Sequence, residues 1–196
     1  MPRSSAADAR DRLMQTARRR FAADGAIAAT LDEIRREADV SVGALYHHFP
    51  DKPALAAAVY AQVMREYQTG FVAMLRSHAS AEGGIRGGIT HHLRWVSANR
   101  SEAALLLGDR LDSAELRDAN GEFFAAVRDW WRPHRSYGVL RPMQAGITAA
   151  LWFGPAQEFS RYWIAGDEPS MSRGVVKTFA DAAWKVLRAN GIEEDK

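Results

Sequence analysis

Residues 30–52 read Thr30-Leu31-Asp32-Glu33-Ile34-Arg35-Arg36-Glu37-Ala38-Asp39-Val40-Ser41-Val42-Gly43-Ala44-Leu45-Tyr46-His47-His48-Phe49-Pro50-Asp51-Lys52. Thr30 and Glu33 have the spacing of a capping box, in which the hydroxyl accepts from an early helical N–H and the carboxylate reaches back to the cap. A helix is predicted from Leu31 to about Ala38. Ser41 is placed to cap a second short helix that starts at Val42, and Pro50 stops it. Asp51 caps the next, with Lys52 and Pro53 in its first turn. Two short helices joined by Asp39-Val40-Ser41 make the outline of a helix-turn-helix.

Upstream, Ala9, Leu13, Ala17 and Phe21 recur every four residues, so a first helix is predicted over 7–23, closed by Asp24-Gly25. With Leu31, Ile34, Ala38, Val40, Leu45 and Phe49 these residues supply a small core for three helices. Downstream, Leu55, Val59, Val63, Tyr67, Phe71 and Met74 mark one face of a fourth helix from Pro53 to about Arg76. The run Gly83-Gly84-Ile85-Arg86-Gly87-Gly88 weakens a helix and lacks the preceding strand and Lys-Ser/Thr ending of a phosphate loop, so it reads as a mobile or closely packed joint. Further helices are expected from about Ile89, over 101–107, over 113–131, over 142–165 with a kink at Gly154-Pro155, and over 171–189 with a cap at Asn190-Gly191. Residues 132–138 read as a loop. No segment alternates with period two, so the chain is expected to be all-α with about nine helices. The expected division is a three-helix unit over 1–52 and a larger helical unit over 53–196.

The 196 residues include no cysteine, which excludes disulfide scaffolds, thiolate zinc sites and cysteine nucleophiles. Net charge is +2 and residues 1–52 are nearly balanced, so charge alone does not indicate nucleic acid. The longest uncharged run, 142–157, falls short of the ~18 apolar residues of a membrane span. The N-terminus lacks an apolar signal core, and a cytoplasmic address is expected. No His-Glu-x-x-His, Gly-x-Ser-x-Gly or paired-carboxylate arrangement points to catalysis. Adjacent His91 and His92 diverge by about 100° on a helix, and no third ligand accompanies them. Neither a metal nor a cofactor is expected.

The block from Thr30 to Ile34 and from Val40 to Lys52 resembles the DNA-binding domain of TetR-family transcriptional repressors. The resemblance covers about the first fifty residues. It implies that the helix after Ser41 lies in the ~12 Å major groove and presents its N-terminal residues to base edges. Tyr46 and His47 then reach phosphates or bases, Lys52 gives charge to the backbone, and Thr30, Val42, Gly43, Ala44 and His48 complete the candidate interface. Val42-Gly43-Ala44 offers no hydrogen-bonding side chain, so thymine methyl contact, His47 or DNA shape carries the selectivity. Arg35 stands where the family usually has alanine and is free to point toward phosphate. Asp39 stands where it usually has glycine, and aspartate tolerates left-handed geometry. The run Arg18-Arg19-Arg20 reads as a solvated helix face.

In the larger unit, His92, Asn120 and Glu158 interrupt inward apolar stripes. With Tyr67, Phe71, Val96, Phe123, Phe124, Val127 and Leu151 they make a plausible lining for a small, largely apolar effector. The 142–165 helix is apolar on two sides, and Gly146, Ala150 and Gly154 recur every four residues along it, which suits close approach of a partner helix. The resemblance implies a two-fold dimer through the last two helices, with Phe179 and Ala183 in the interface. Two recognition helices then stand ~34 Å apart and read an inverted repeat in double-stranded DNA. The leading expectation is a ligand-released repressor. An all-α enzyme and a helical adaptor without DNA binding are the competing readings, and a mobility shift on the upstream DNA separates them.

Overall fold

The computed structural model describes residues 3–108, 114–166 and 170–189. Among them are the helices α1 (Arg3–Ala28), α2 (Leu31–Glu37), α3 (Val42–His48), α4 (Lys52–Arg76), α5 (Ala81–Ala98), α6 (Arg100–Leu107), α7 (Ala114–Ser136), α8 (Ala145–Ala165) and α9 (Arg173–Leu187). No strand occurs among the described residues. The chain divides into two compact units, Met1–Arg65 with Ser101–Arg117, and Glu66–Arg100 with Asp118–Lys196.

In the first unit, α1 packs on α2 and α3. Leu13, Ala17, Phe21, Ile34, Leu45 and Phe49 are buried, as the sequence periodicity requires. Each large apolar side chain removed from water contributes about 1.5–3 kcal/mol to holding the three helices together. The first half of α4 adds buried Leu55, Val59 and Val63, and its Tyr60 and Ala61 pack with Leu105 and Leu106 of α6. The N-terminal unit is therefore larger than the helix-turn-helix that ends near Lys52. The expected stop at Asp24-Gly25 is not observed, because α1 continues to Ala28. One interior glycine costs a helix only about 1 kcal/mol, and helix formers on both sides carry the ladder across it.

In the second unit, α5 packs on α8 and α9, and α8 on α9. The expected joint at 83–88 is instead the interior of α5, whose first turn Ser80 caps by accepting from Gly83 N–H at 3.1 Å. The glycines are there for packing. A Cβ on Gly88 would lie 2.7 Å from Trp152 Cζ2, and one on Gly84 would overlap the Trp130 ring. Both indoles are anchored, Trp152 Nε1 donating to Ile85 O at 3.0 Å and Trp130 Nε1 to His78 O at 3.1 Å.

The loop expected at 132–138 is also corrected, since α7 runs through Pro133 to Ser136. Trp131 packs on Trp152 and the His134 ring lies 4.5 Å from that of Trp130, so tertiary contacts hold these last turns. The segment after α7 is clamped to the end of α9 by an antiparallel bridge between Leu140 and Arg188. The α8 helix starts at Ala145 and contains Pro155. The α9 helix ends at Leu187, and the cap expected at Asn190-Gly191 lies outside the described residues. No helix among the described residues is long and apolar enough to cross a membrane.

Candidate functional site

The start of α3 is built by Ser41, whose hydroxyl accepts from Ala44 N–H at 3.2 Å and so satisfies one orphan donor of the first turn. Leu45 and Phe49 point inward and fix the helix, with Arg10 lying over the Phe49 ring. The opposite face is left open. Val42 is 54% and Tyr46 55% exposed. Gly43 and His47 share this exposed face, whereas Ala44 and His48 are half-buried. Gly43 has nothing within 4 Å of the position a Cβ would take, so this stretch of backbone can approach another surface closely. Lys52, half-buried, opens α4, whose first turn is capped by the Asp51 carboxylate accepting from Ala54 N–H at 2.8 Å.

At the start of α2, Thr30 and Glu33 form the predicted capping box. Thr30 Oγ1 accepts from Glu33 N–H at 3.3 Å and donates to the Glu33 carboxylate at 2.7 Å, so its hydroxyl is used in the cap. These bonds hold the Glu33 carboxyl below the usual carboxylate range. Asp39 takes the left-handed conformation, with φ of 52°. Arg35 is placed differently from the outward orientation read in the sequence. Its guanidinium pairs with Asp32 at 2.8 Å and donates to Val40 O at 3.2 Å, closing the turn. The basic run of α1 is likewise tied down, Arg18 to Glu102 and Arg19 and Arg20 to Glu37.

The second unit holds an inner polar chain. The hydroxyl of Tyr67 lies 3.1 Å from His92 Nδ1, His92 Nε2 lies 3.4 Å from Ser160 Oγ, and Ser160 Oγ donates to Ala156 O at 2.7 Å. Because the serine proton goes to Ala156, Nε2 carries the imidazole proton and Nδ1 accepts from Tyr67. Burial, with a smaller push from His91, lowers the His92 pKa to about 4, so the ring is neutral near pH 7. Burial also raises the Tyr67 phenol well above its ordinary value. Phe71 packs against Phe123, Trp152 and Phe153 beside this chain. Gln68 Nε2 donates to Asn120 Oδ1 at 2.6 Å. His91 Nε2 is buried without a partner. Among the described residues no three His, Asp or Glu converge to hold a metal.

Residues 13–59 match the family described as bacterial regulatory proteins, tetR family. The fold of the chain as a whole resembles solved regulators. Against a TetR-family transcription regulator from Marinobacter aquaeolei VT8 the TM-score is 0.77 at 15% identity, covering 95% of this chain and 99% of that one. Against one from Pectobacterium atrosepticum it is 0.66 at 21% identity, covering 95% and 93%. Against the fatty acid degradation regulator FadR from Bacillus halodurans it is 0.74 at 15% identity, covering 92% and 97%. No curated protein matches the sequence. Over residues 13–59 the chain is similar to the TetR family, and its fold as a whole is the TetR-family fold. That family is one of transcription regulators and not of enzymes.

With the TetR-family fold in hand, the remaining sequence-derived residues divide by burial. Tyr67, Phe71, His92, Val96, Asn120, Phe123 and Val127 are buried or half-buried. Three residues expected to face inward do not. Glu158 is exposed and pairs with Arg161 at 3.0 Å, and Phe124 and Leu151 are 52% and 38% exposed. The helical period identifies faces, and α8 turns its Trp152, Ala156 and Ser160 side to the core, which leaves Leu151 and Glu158 outward. On that outward side Gly146, Ile147 and Ala150 are exposed and Gly154 is half-buried. Of the α9 residues assigned to an interface, Phe179 packs on Phe159, and Ala183 is corrected to the chain's own core. The sequence reading missed Ser160 and Gln68, and weighed His91 only as a metal ligand. Ser160 lies two turns beyond Trp152 on the same α8 stripe, a position that the helical period alone identifies.

Proposed function

We propose that this TetR-family chain is a sequence-specific DNA-binding repressor that acts as a homodimer on an inverted repeat. The observation that carries the reading is the exposed α3 face of Val42, Gly43, Tyr46 and His47, rigidly presented by the Ser41 cap while Leu45 and Phe49 anchor the other side. A short capped helix with an unoccupied outer face fits a major groove. Fragments of the DNA upstream of the chain's own gene test it by mobility shift: retardation by one fragment in excess competitor is expected, and no retardation of any fragment favours the adaptor reading. Lys52→Ala should weaken binding to all sequences and reduce the salt slope by about one, whereas His47→Ala should change base preference.

The second part of the proposal is release by a small, largely apolar effector in the second unit, between α4, α5, α7 and α8. Tyr67, Phe71, Val96, Phe123 and Val127 supply apolar walls, and His92, Asn120 and the unpartnered His91 Nε2 supply polar contacts. Because α4 carries both Lys52 and Tyr67, it is the means of coupling. Such couplings are typically ~1–3 kcal/mol and reciprocal, so operator DNA must weaken effector binding by the factor that effector weakens DNA binding.

A further inference from the structure

A cleft of about 710 Å³ opens between α5 and α9, a volume in the range of small-molecule sites. Arg86 and Arg94 line it from α5, and Arg173, Lys177 and Asp181 from α9. Asp181 accepts from Arg86 and, at 2.6 Å, from Lys177, and Arg86 also pairs with Glu82 at 2.5 Å. Two carboxylates thus balance two cations, and Lys177 and Arg86 hold the Asp181 carboxyl below its usual range. Arg94 and Arg173 are different. Each stands two helical turns from the Arg86–Asp181 pair, each is exposed, and neither has an ion-pair or hydrogen-bond partner among the described residues. The same cleft therefore holds a balanced network and two uncompensated guanidiniums. Met171, Val176 and Ala180 give it an apolar wall, Val176 and Met171 resting against the core cluster.

We propose that this cleft binds a small organic dianion with an apolar body. Its two negative charges are gripped by Arg94 and Arg173, and its body lies on Met171 and Val176. Guanidiniums present forked donors that match phosphate or carboxylate oxygens. An apolar part adds surface burial that a bare inorganic ion cannot. Arg94 follows His92 by two residues, about 200° around α5, so this site lies on the helix face opposite the inner polar chain and is independent of the proposed effector site.

Titration calorimetry on the full chain at low salt tests the proposal with phenyl phosphate and phthalate as the two sources of a double charge. Benzoate serves as the monoanion and phenol as the neutral body. At least one dianion is expected to bind saturably, ten-fold or more tighter than benzoate, with no binding of phenol. Arg94→Ala with Arg173→Ala should weaken it ten-fold or more, while Tyr67→Phe leaves it unchanged. The charge reversal Arg94→Glu with Arg173→Glu should abolish dianion binding and create binding of benzylammonium, a gain that an unfolded chain cannot show. The proposal is overturned if neither dianion binds, if the double alanine variant binds as the native chain does, or if Tyr67→Phe removes the binding.

Discussion

Arg35 and Val40 clasp each other across the turn of the helix-turn-helix: the Arg35 guanidinium donates to Val40 O at 3.2 Å, and Val40 N–H donates to Arg35 O at 3.1 Å. The side chain bridges the end of α2 to the residue just before Ser41, the cap of α3, and so sets where the recognition helix begins. Arg35→Ala leaves the Val40 carbonyl without its donor and frees Asp39 from a closed turn, an expected loss of about 1–2 kcal/mol in thermal unfolding. Operator affinity should fall while the salt slope stays at its native value, since a positioning group neutralises no phosphate. A reduced slope would show instead that Arg35 turns outward to the DNA backbone.

The features legible in the sequence are the local ones. Thr30 and Glu33, and Ser41 with Ala44, are bonds between residues three apart, so spacing alone predicts them. Asp39 was legible for the same reason, as one residue tolerant of positive φ. What spacing could not supply is which side of a helix meets a distant neighbour. The glycines of α5 look like a helix breaker until Trp130 and Trp152, far along the chain, are seen to occupy the space above them. Leu151 and Glu158 lie on α8, which is apolar on two sides, and only the position of α5 decides which side is the core.

Gly88→Ala sets two effects of opposite sign against each other. Alanine is favoured over glycine by about 1 kcal/mol inside a helix. The new methyl would meet Trp152 Cζ2 at 2.7 Å, and Trp152 is buried with its indole N–H held by Ile85 O. Overpacking of that kind costs about 1–3 kcal/mol, and moving the ring also strains a buried hydrogen bond. A net destabilisation is expected, read as a lower thermal midpoint with a change in tryptophan emission. Gly121→Ala, on the exposed side of α7 with open space around it, should be neutral or stabilising in the same assay.

His92 gives stability a defined pH dependence. Its folded pKa of about 4 lies below the unfolded value of 6.5, so the unfolded chain binds the proton more readily. The contribution is fully present above pH 6.5 and is lost as pH falls from there toward 4, for a total of about 3 kcal/mol. His91, also lowered by burial, acts in the same direction. His92→Gln should flatten this limb of the stability curve in urea titrations between pH 7 and pH 4. Tyr67→Phe should instead lower stability by about 1–3 kcal/mol near neutrality, because it strands the Nδ1 acceptor.

The outward face of α8 carries Gly146, Ile147, Ala150, Leu151 and Gly154, apolar residues that the chain's own core leaves uncovered. If two copies pair there, the glycines mark where the helices come closest. Within one protomer nothing lies within 4 Å of a Cβ built on Gly154, so the side chain of Gly154→Leu leaves the α8 backbone without a clash at its first carbon, and the protomer's own fold is expected to persist, checked by its circular dichroism. Across a tight interface the same side chain has no room. Sedimentation equilibrium should show the dimer dissociation constant raised at least ten-fold, which corresponds to about 1.4 kcal/mol. Operator affinity should fall with it, since a single recognition helix engages one half-site and loses the second, one DNA turn away. A variant that stays dimeric at the native concentration would place the interface on another face of the molecule, and a variant that is monomeric yet binds the operator at full affinity would remove the inverted repeat from the proposed mechanism.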